Sequence, residues 1–162
     1  MKTLLILRHA KSSWKEDALP DHERPLSKRG RAEAPRMGKL LRKHDLLPDL
    51  ILSSAAVRAR STVELVIEES LFDGETELRE DLYAFDSEPY LKALAGLPDH
   101  YQRVMIVGHN PALEELLEEL TGEYLPLPTA ALAQVTLAIE SWSEIESGSS
   151  GKLVDIWRPK EL

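Results

Sequence analysis

The stretch TLLILRHA at residues 3–10 decides the fold of this chain, because a predicted buried strand runs directly into a charged pair and a small residue. A second apolar run, VMIV at residues 104–107, is followed in the same way by GHNP at residues 108–111. His9 and His109 therefore follow two separate predicted strands. In open α/β sheets, ligands bind outside the carboxyl ends of the strands, so we expect both imidazoles to face one site. Two histidines in one such site indicate an enzyme.

Strand and helix patterns alternate along most of the chain, which is typical of a parallel sheet covered by helices. The predicted strands lie at residues 3–8, 49–52, 104–107, 132–139 and 153–157. Four helices are predicted. The first follows Ser27 as its cap, and the second spans about residues 55–69. The third begins near Ser87, and the fourth begins at Pro111 with Asn110 as the N-cap. The sequence thus predicts one α/β domain with a mostly parallel central sheet flanked by helices.

The connections between these elements carry further expectations. The polar loop at residues 11–26 is long for a compact domain, which predicts a lid or a binding wall. Ser53 and Ser54 are candidate caps of the second helix. Residues 72–85 are predicted to form a turn followed by an irregular segment, and the Gly/Ser run at residues 147–151 is predicted to be a mobile hairpin loop.

The composition excludes several classes of function. A net charge of −8 argues against a nucleic-acid partner, since binding its backbone needs a positive surface. The chain has no cysteine, which excludes a disulfide framework and a zinc-thiolate site. No apolar run is long enough for a signal peptide or a membrane span, so we expect a cytoplasmic protein with no membrane partner. An anionic substrate would need a local cluster of arginines.

Such a cluster is predicted at the strand ends. Arg8 precedes His9, and Arg58 lies four residues past Ser54, one helical turn in, so its guanidinium can reach back over the strand ends. Arginine's planar fork matches phosphate oxygens, and a neutral imidazole is nucleophilic near pH 7 without a metal. Because no third and fourth ligands accompany His9 and His109 at short spacing, we predict no metal and no cofactor.

These segments together resemble the histidine phosphatase superfamily: LRHAK at residues 7–11, SSAAVRA at residues 53–59 and VGHNP at residues 107–111. The match is closer to its small SixA-type branch, the phosphohistidine phosphatases. The resemblance covers essentially the whole chain, so residues 1–162 are expected to form a single histidine phosphatase domain with a phosphoglycerate mutase-like fold. Ala10 stands where the superfamily's usual Arg-His-Gly triplet has glycine.

The resemblance also implies a role for each site residue. His9 would be the nucleophile that becomes transiently phosphorylated. Arg8 and Arg58 would bind the phosphate, and His109 would be a second catalytic imidazole that binds the phosphate and stabilises the charge on its equatorial oxygens. Water would then hydrolyse the phosphorylated His9.

Three carboxylates are candidates for the acid that protonates the leaving atom. Asp21 lies in the long loop after His9, whereas Glu80 and Asp81 lie in the irregular segment. We favour Asp21 because the SixA-type branch pairs this position with a downstream Arg-Pro-Leu. Its carboxylate could equally orient Arg24 in a structural ion pair.

The predicted activity is that of a metal-independent hydrolase, a phosphohistidine phosphatase acting on a protein of a phosphorelay or phosphotransferase system, and hence in signal transduction. Imidazole has a reference pKa of about 6.5 and departs readily, so such an enzyme can work with a weak acid or none. Two alternatives are a small-molecule phosphomonoesterase with the same site, and a module that binds phosphoryl groups without turnover. Glu80 or Asp81 close to His9 would favour the phosphomonoesterase.

Overall fold

The computed structural model describes residues 1–15, 18–145 and 151–162. Its helices and strands, in chain order, are β1 (Lys2–Arg8), α1 (Lys28–Lys43), β2 (Leu50–Ser54), α2 (Val57–Ser70), β3 (Glu75–Arg79), α3 (Glu88–Ala95), β4 (Arg103–Gly108), α4 (Ala112–Thr121), β5 (Leu132–Leu137) and β6 (Gly151–Trp157). Within these ranges, no helix has both the length and the apolar composition that a membrane crossing requires.

The strands form one sheet in the order β3-β2-β4-β1-β5-β6. β1 pairs with β4 in parallel, and β2 pairs in parallel with both β4 and β3. β5 runs antiparallel to β1, and β6 runs antiparallel to β5. The prediction of a single α/β domain with a mostly parallel central sheet is confirmed.

The register of the three central strands brings their carboxyl ends to the same level. Arg8 of β1 pairs with Gly108 of β4, and Ser53 of β2 pairs with Val107 of β4. The residues that follow these positions therefore leave the sheet side by side. This alignment is the structural basis of the site described below.

Helices cover both faces of the sheet. Leu5 and Leu7 pack in one buried cluster with residues of α1 and α2, whereas Leu4 and Ile6 pack in a second cluster with residues of α3 and α4. Successive side chains of a strand point to opposite faces, so a strand buried on both faces needs a continuous apolar run. The run at the start of β1 meets that requirement.

One strand departs from the sequence prediction. Residues 72–85 are predicted as a turn and an irregular segment, yet β3 lies within them at the edge of the sheet. Its sequence is ETELR and its first four residues are exposed. An edge strand with charged side chains lacks the apolar pattern that identifies buried strands, and it discourages pairing with other chains.

The helix starts agree with the sequence only in part. Ser27 caps α1 as predicted, since its hydroxyl accepts the amide of Gly30 at 3.1 Å. The predicted caps of α2 are wrong, because Ser54 belongs to β2 and the N-cap of α2 is Ala56, which has no side-chain cap. The predicted start of α4 is one residue early.

In α4, Pro111 occupies the N-cap position and the helix begins at Ala112. Asn110, the predicted cap, instead donates its side-chain amide to the Leu127 carbonyl at 2.8 Å. That contact ties the strand end of β4 to the segment before β5. The predicted mobile loop at residues 147–151 falls outside the described residues except for Gly151, which begins β6.

Candidate active site

A cleft of about 390 Å³ opens at the carboxyl ends of the central strands. It is lined by Arg8, His9, Lys11, Ser12, Trp14, Asp21, Arg24, Arg58, Phe85, His109, Asn110 and Thr129. All five predicted site residues are among them. The cleft therefore brings together the residues that the sequence predicted, although Arg8 and His109 lie 101 positions apart in the chain.

His9 is held in one tautomer by the backbone. Its Nδ1 lies 2.7 Å from the carbonyl oxygen of Ala10. A carbonyl can only accept a hydrogen bond, so Nδ1 carries the proton and Nε2 keeps its lone pair. His9 is only 6% exposed, and this burial lowers its pKa to about 3, against the opposing effect of the Ala10 bond. The imidazole is thus neutral and nucleophilic at Nε2 at physiological pH.

The turn that carries His9 is tied to the helix that carries Arg58. The amide of Ala10 donates to Thr62 Oγ1 at 2.9 Å, and that hydroxyl donates to the Arg58 carbonyl at 2.7 Å. The amide of His9 donates to the Gly108 carbonyl at 3.1 Å. Ala10 is fully buried in this arrangement, which explains why only a small residue fits there.

The second imidazole lies beside the first. The ring centroids of His9 and His109 are 5.1 Å apart. His109 Nε2 lies 2.8 Å from Ser54 Oγ, and its Nδ1 is buried without a hydrogen-bond partner among the described residues. Burial lowers the pKa of His109 to about 3, with a further contribution from His9 and Arg58. His109 lines the cleft, and its Nδ1 has no hydrogen bond that would have to be broken for another acceptor to bind there.

A glycine and a buried tyrosine set the backbone of His109. Tyr90 Oη donates to the Leu82 carbonyl at 2.7 Å and accepts the amide of His109 at 3.2 Å. A Cβ at position 108 would overlap this hydroxyl, so Gly108 is required for close packing rather than for an unusual backbone angle. This support fixes the second imidazole against the end of β4.

Two predicted arginines border the imidazoles. Arg8 Nη1 donates to the Leu127 carbonyl at 3.0 Å, and Arg58 donates to Asp21 through both of its Nη atoms. The Nε atoms of Arg8 and Arg58 are buried and have no partner among the described residues. Arg58 is 4% exposed, so its charge acts in a largely desolvated setting.

A third arginine, Arg24, also faces the cleft and was not predicted as a phosphate ligand. It is 7% exposed, its Nη1 donates to Ser12 Oγ at 2.8 Å, and its guanidinium carbon lies 3.5 Å from the ring centroid of Trp14. The only sequence signal was its place in the Arg-Pro-Leu segment. Its position depends on how the long loop folds back over the strand ends.

Asp21 is an ion-paired carboxylate in the structure. Arg24 Nε donates to its Oδ1 and Arg58 Nη2 to its Oδ2, both at 3.0 Å, and the Tyr83 hydroxyl also donates to Oδ2. Partial burial alone would raise the pKa of Asp21, but the hydrogen bonds from Tyr83, Arg24 and Arg58 outweigh it and hold the pKa well below its usual range. An ionised carboxylate has no proton to give, so this geometry favours a positioning role over that of an acid.

The other two candidate acids lie outside the cleft lining. Glu80 Oε2 contacts His22 Nε2 at 3.1 Å, and Asp81 forms two hydrogen bonds with Arg79 at 2.9 and 2.8 Å. Those bonds lower the pKa of Asp81. Among the described residues, Asp21 is therefore the one carboxylate that lines the cleft.

Aromatic side chains form one wall of the site, which the sequence did not predict. The ring of Tyr83 meets that of His109 edge-on at 5.3 Å between centroids, and Phe85 lies 5.6 Å from Tyr83. Phe85 is 54% exposed and Trp14 is 67% exposed. Both side chains line the cleft, so its mouth is aromatic and open to solvent.

We expect both imidazoles to stay neutral well below the usual histidine range. Their folded-state pKa values of about 3 lie below the unfolded value of about 6.5, so the unfolded chain takes up protons first as the pH falls. The two groups therefore contribute stability above about pH 6.5 that is lost progressively toward pH 3. Long-range ¹H–¹⁵N spectra of the histidine rings check this directly. A midpoint near pH 6.5 for either ring would contradict the burial argument.

The fold and the site define a class: an α/β protein with a neutral, orientated histidine and three arginines around a cleft suited to a phosphate-sized oxyanion. No group of three or more His, Asp or Glu side chains in the described ranges is arranged to hold a metal ion. A family model, histidine phosphatase superfamily (branch 1), matches residues 4–87. The chain belongs to the histidine phosphatase superfamily.

Several individual proteins are similar to this chain in sequence or structure. An uncharacterized chloroplastic protein of Arabidopsis thaliana is 34% identical over 156 residues, covering 88% of this chain and 70% of that protein. A protein assigned as the phosphohistidine phosphatase SixA of Agrobacterium tumefaciens has a TM-score of 0.84 at 32% identity, covering 98% of both chains. The protein histidine phosphatase SixA complexed with tungstate has a TM-score of 0.82 at 27% identity, again with 98% of both chains covered. The phosphoglycerate mutase-like fold expected from the sequence is that of these SixA structures.

Proposed function

We propose that this protein is a phosphohistidine phosphatase in which His9 is the nucleophile. The observation that carries the proposal is the state of His9: neutral, fixed with its proton on Nδ1, and buried between arginines with Nε2 free. Arg8, Arg24 and Arg58 would bind the phosphoryl oxygens. His109 would donate a hydrogen bond from Nδ1 to one of these oxygens, while its Nε2 accepts the hydroxyl proton of Ser54. The solved tungstate complex of a SixA protein supports an oxyanion site on this fold, since tungstate is tetrahedral like phosphate.

The first step would transfer the phosphoryl group between two imidazoles. His9 Nε2 attacks phosphorus, and the phosphorus–nitrogen bond of the substrate breaks. When the other ring nitrogen of the substrate is protonated, its imidazole leaves as a neutral molecule. The Ala10 carbonyl stabilises the positive ring of phosphorylated His9 through the Nδ1 proton. No carboxylic acid is needed in this step.

The second step would hydrolyse the intermediate. Water attacks the phosphorus of phosphorylated His9, and the His9 ring leaves as neutral imidazole with its Nδ1 proton still in place. The protons of the water stay on the product, which departs as dihydrogen phosphate. The arginines stabilise the charge that builds on the equatorial oxygens in both steps. Atoms, protons and charge balance in both steps, and we propose that the arginines supply the charge stabilisation that a metal would otherwise give.

The ion-paired state of Asp21 is why we favour phosphohistidine over phosphate esters. An alkoxide leaving group needs a proton as it departs, whereas an imidazole does not. The one carboxylate in the described cleft lining is held ionised by Arg24 and Arg58. We propose that Asp21 positions these two guanidinium groups.

The proposal also covers the extent of the domain, the kind of substrate and the cellular role. The family model ends at residue 87, but His109 follows β4 and lines the same cleft as His9, so we propose that residues 1–162 form one histidine phosphatase domain. The open aromatic mouth supports a phosphorylated protein as substrate. A protein of a phosphorelay or phosphotransferase system, and hence a role in cytoplasmic signal transduction, belongs to the proposal.

Leaving-group selectivity tests the proposed substrate class. We expect kcat/KM for a phosphohistidine peptide to exceed that for sugar and glycerate phosphates by at least about ten-fold, or about 1.4 kcal/mol at the transition state. Initial rates of phosphate release on matched concentrations of both substrates give the ratio. A comparable or higher kcat/KM on the esters would contradict the phosphohistidine assignment and favour the phosphomonoesterase.

A further inference from the structure

A second groove of about 480 Å³ lies beside the catalytic cleft and is strongly basic. We call it the basic groove; its lining consists of Lys11, Ser13, Lys15, Pro25, Leu26, Ser27, Lys28, Arg29 and Arg31. Its five cationic side chains are all exposed, and the described residues that line it include no carboxylate. Such a concentration of positive charge is unusual in a chain with a net charge of −8.

The placement of these cations is not explained by helix stability. Lys28, Arg29 and Arg31 occupy the first turn of α1, where no acidic residue is present. The amino end of a helix carries partial positive charge and favours anions, so cations there are unfavourable. Arg29 is partly neutralised by Glu33, at 3.3 Å. A negatively charged group bound in the groove would offset both the side-chain charges and the helix dipole.

The basic groove adjoins the catalytic cleft. Lys11 lines both. The Lys11 carbonyl accepts hydrogen bonds from the amide and the hydroxyl of Ser27, at 2.8 and 3.1 Å. Gly30 lets α1 approach this carbonyl so closely that a Cβ would overlap it. The groove is therefore fixed relative to His9, two residues before Lys11.

We propose that the basic groove is the docking site for an acidic segment of the phosphorylated protein substrate, adjacent to its phosphohistidine. Charge complementarity selects this occupant, because the five exposed cations of the groove attract carboxylates while the chain as a whole is acidic. Docking there would place the phosphohistidine over His9. This inference rests on the proposed phosphohistidine phosphatase activity.

Matched phosphohistidine peptides test the inference. One peptide carries glutamate-rich flanks and the other serine-rich flanks, and both are phosphorylated on the same histidine with phosphoramidate. We expect wild type to favour the acidic peptide by about ten-fold in kcat/KM at low salt, mainly through a lower KM. Added salt should reduce that preference, because it screens exposed charges.

The variant Lys15→Glu/Lys28→Glu removes charge from the groove without touching the residues that line the catalytic cleft. We expect it to lose the preference for the acidic peptide and to retain wild-type kcat/KM on the serine-rich peptide. Glutamate at the start of α1 suits the helix dipole, so the variant should keep the wild-type Tm or exceed it. The control Lys92→Glu/Lys160→Glu makes the same charge change at exposed sites outside the groove and should keep the preference.

The outcomes separate this inference from the proposed function. Equal kcat/KM on both peptides in wild type, or a preference that survives in Lys15→Glu/Lys28→Glu, would overturn the docking site and leave the phosphatase proposal standing. Loss of the preference in the control variant as well would also overturn it, since net charge alone would then explain the effect. No turnover of either peptide by wild type, alongside hydrolysis of phosphate esters, would overturn the proposed function itself.

Discussion

Replacement of His9 by alanine is expected to reduce kcat/KM on a phosphohistidine peptide by at least about 10⁴-fold. In the proposed mechanism His9 Nε2 forms the bond to phosphorus, and no other described residue presents a neutral, tautomer-fixed nucleophile at the end of β1. The arginines alone would still bind phosphate but would leave it unreacted. Steady-state phosphate release measures the loss, with His44→Ala, an exposed histidine that follows α1, as the control.

The folding of the His9→Ala variant can be judged independently. The hydrogen bond between Nδ1 and the Ala10 carbonyl offsets most of the free-energy cost of burying the neutral His9 imidazole. Removing this side chain should therefore change the free energy of unfolding little and leave the sheet and helices intact. Thermal unfolding followed by circular dichroism checks this. Turnover within about ten-fold of wild type in a folded His9→Ala protein would remove His9 from the role of nucleophile.

The second large effect is expected at Arg58, where replacement by alanine should reduce kcat/KM by about 10²- to 10³-fold. Its guanidinium is largely desolvated, and Arg58 lies at the start of α2 and lines the same cleft as His9. Lysine at this position should restore only part of the activity, since a single ammonium cannot reproduce the planar fork. The same peptide assay measures both variants.

Arg60 provides a matched control on the same helix. It lies two positions further along α2, its side chain is 47% exposed, and its nearest acidic contact is Glu64 at 4.0 Å. Arg60→Ala should therefore behave as wild type. If Arg58→Ala lost no more activity than Arg60→Ala, the arginine would be structural, holding Asp21 and the long loop in place, and the proposed phosphate-binding role would be wrong.

The parts of the site that follow buried strands were predictable from the sequence. β1 and β4 are covered on both faces, so each is a continuous apolar run, and the polar residue after each run marks a strand end. The parallel register of Arg8 with Gly108 then places His9 beside His109. Arg58 follows from helical spacing after β2. These positions depend on local pattern and on one general rule about parallel sheets.

The remaining parts depend on tertiary contacts that no local pattern encodes. Arg24 enters the cleft only because the long loop folds over the strand ends, where Trp14 stacks on it. The pKa of Asp21 is low because Tyr83, Arg24 and Arg58 donate hydrogen bonds to its carboxylate, and Tyr83 and Arg58 lie 62 and 37 positions away in the chain. Tyr83 follows β3, an edge strand with too few apolar residues to be recognised. The proposed preference for an imidazole leaving group rests on these contacts.

The phosphorylated enzyme is the most direct test of the central claim. With enzyme in excess over a ³²P-labelled phosphohistidine peptide, quenching at short times in denaturing alkali should trap acid-labile, base-stable label on the peptide that contains His9. His9→Ala should carry none. Complete transfer of label from the substrate to free phosphate, with no label on His9 at any quench time, would contradict a covalent mechanism at this residue.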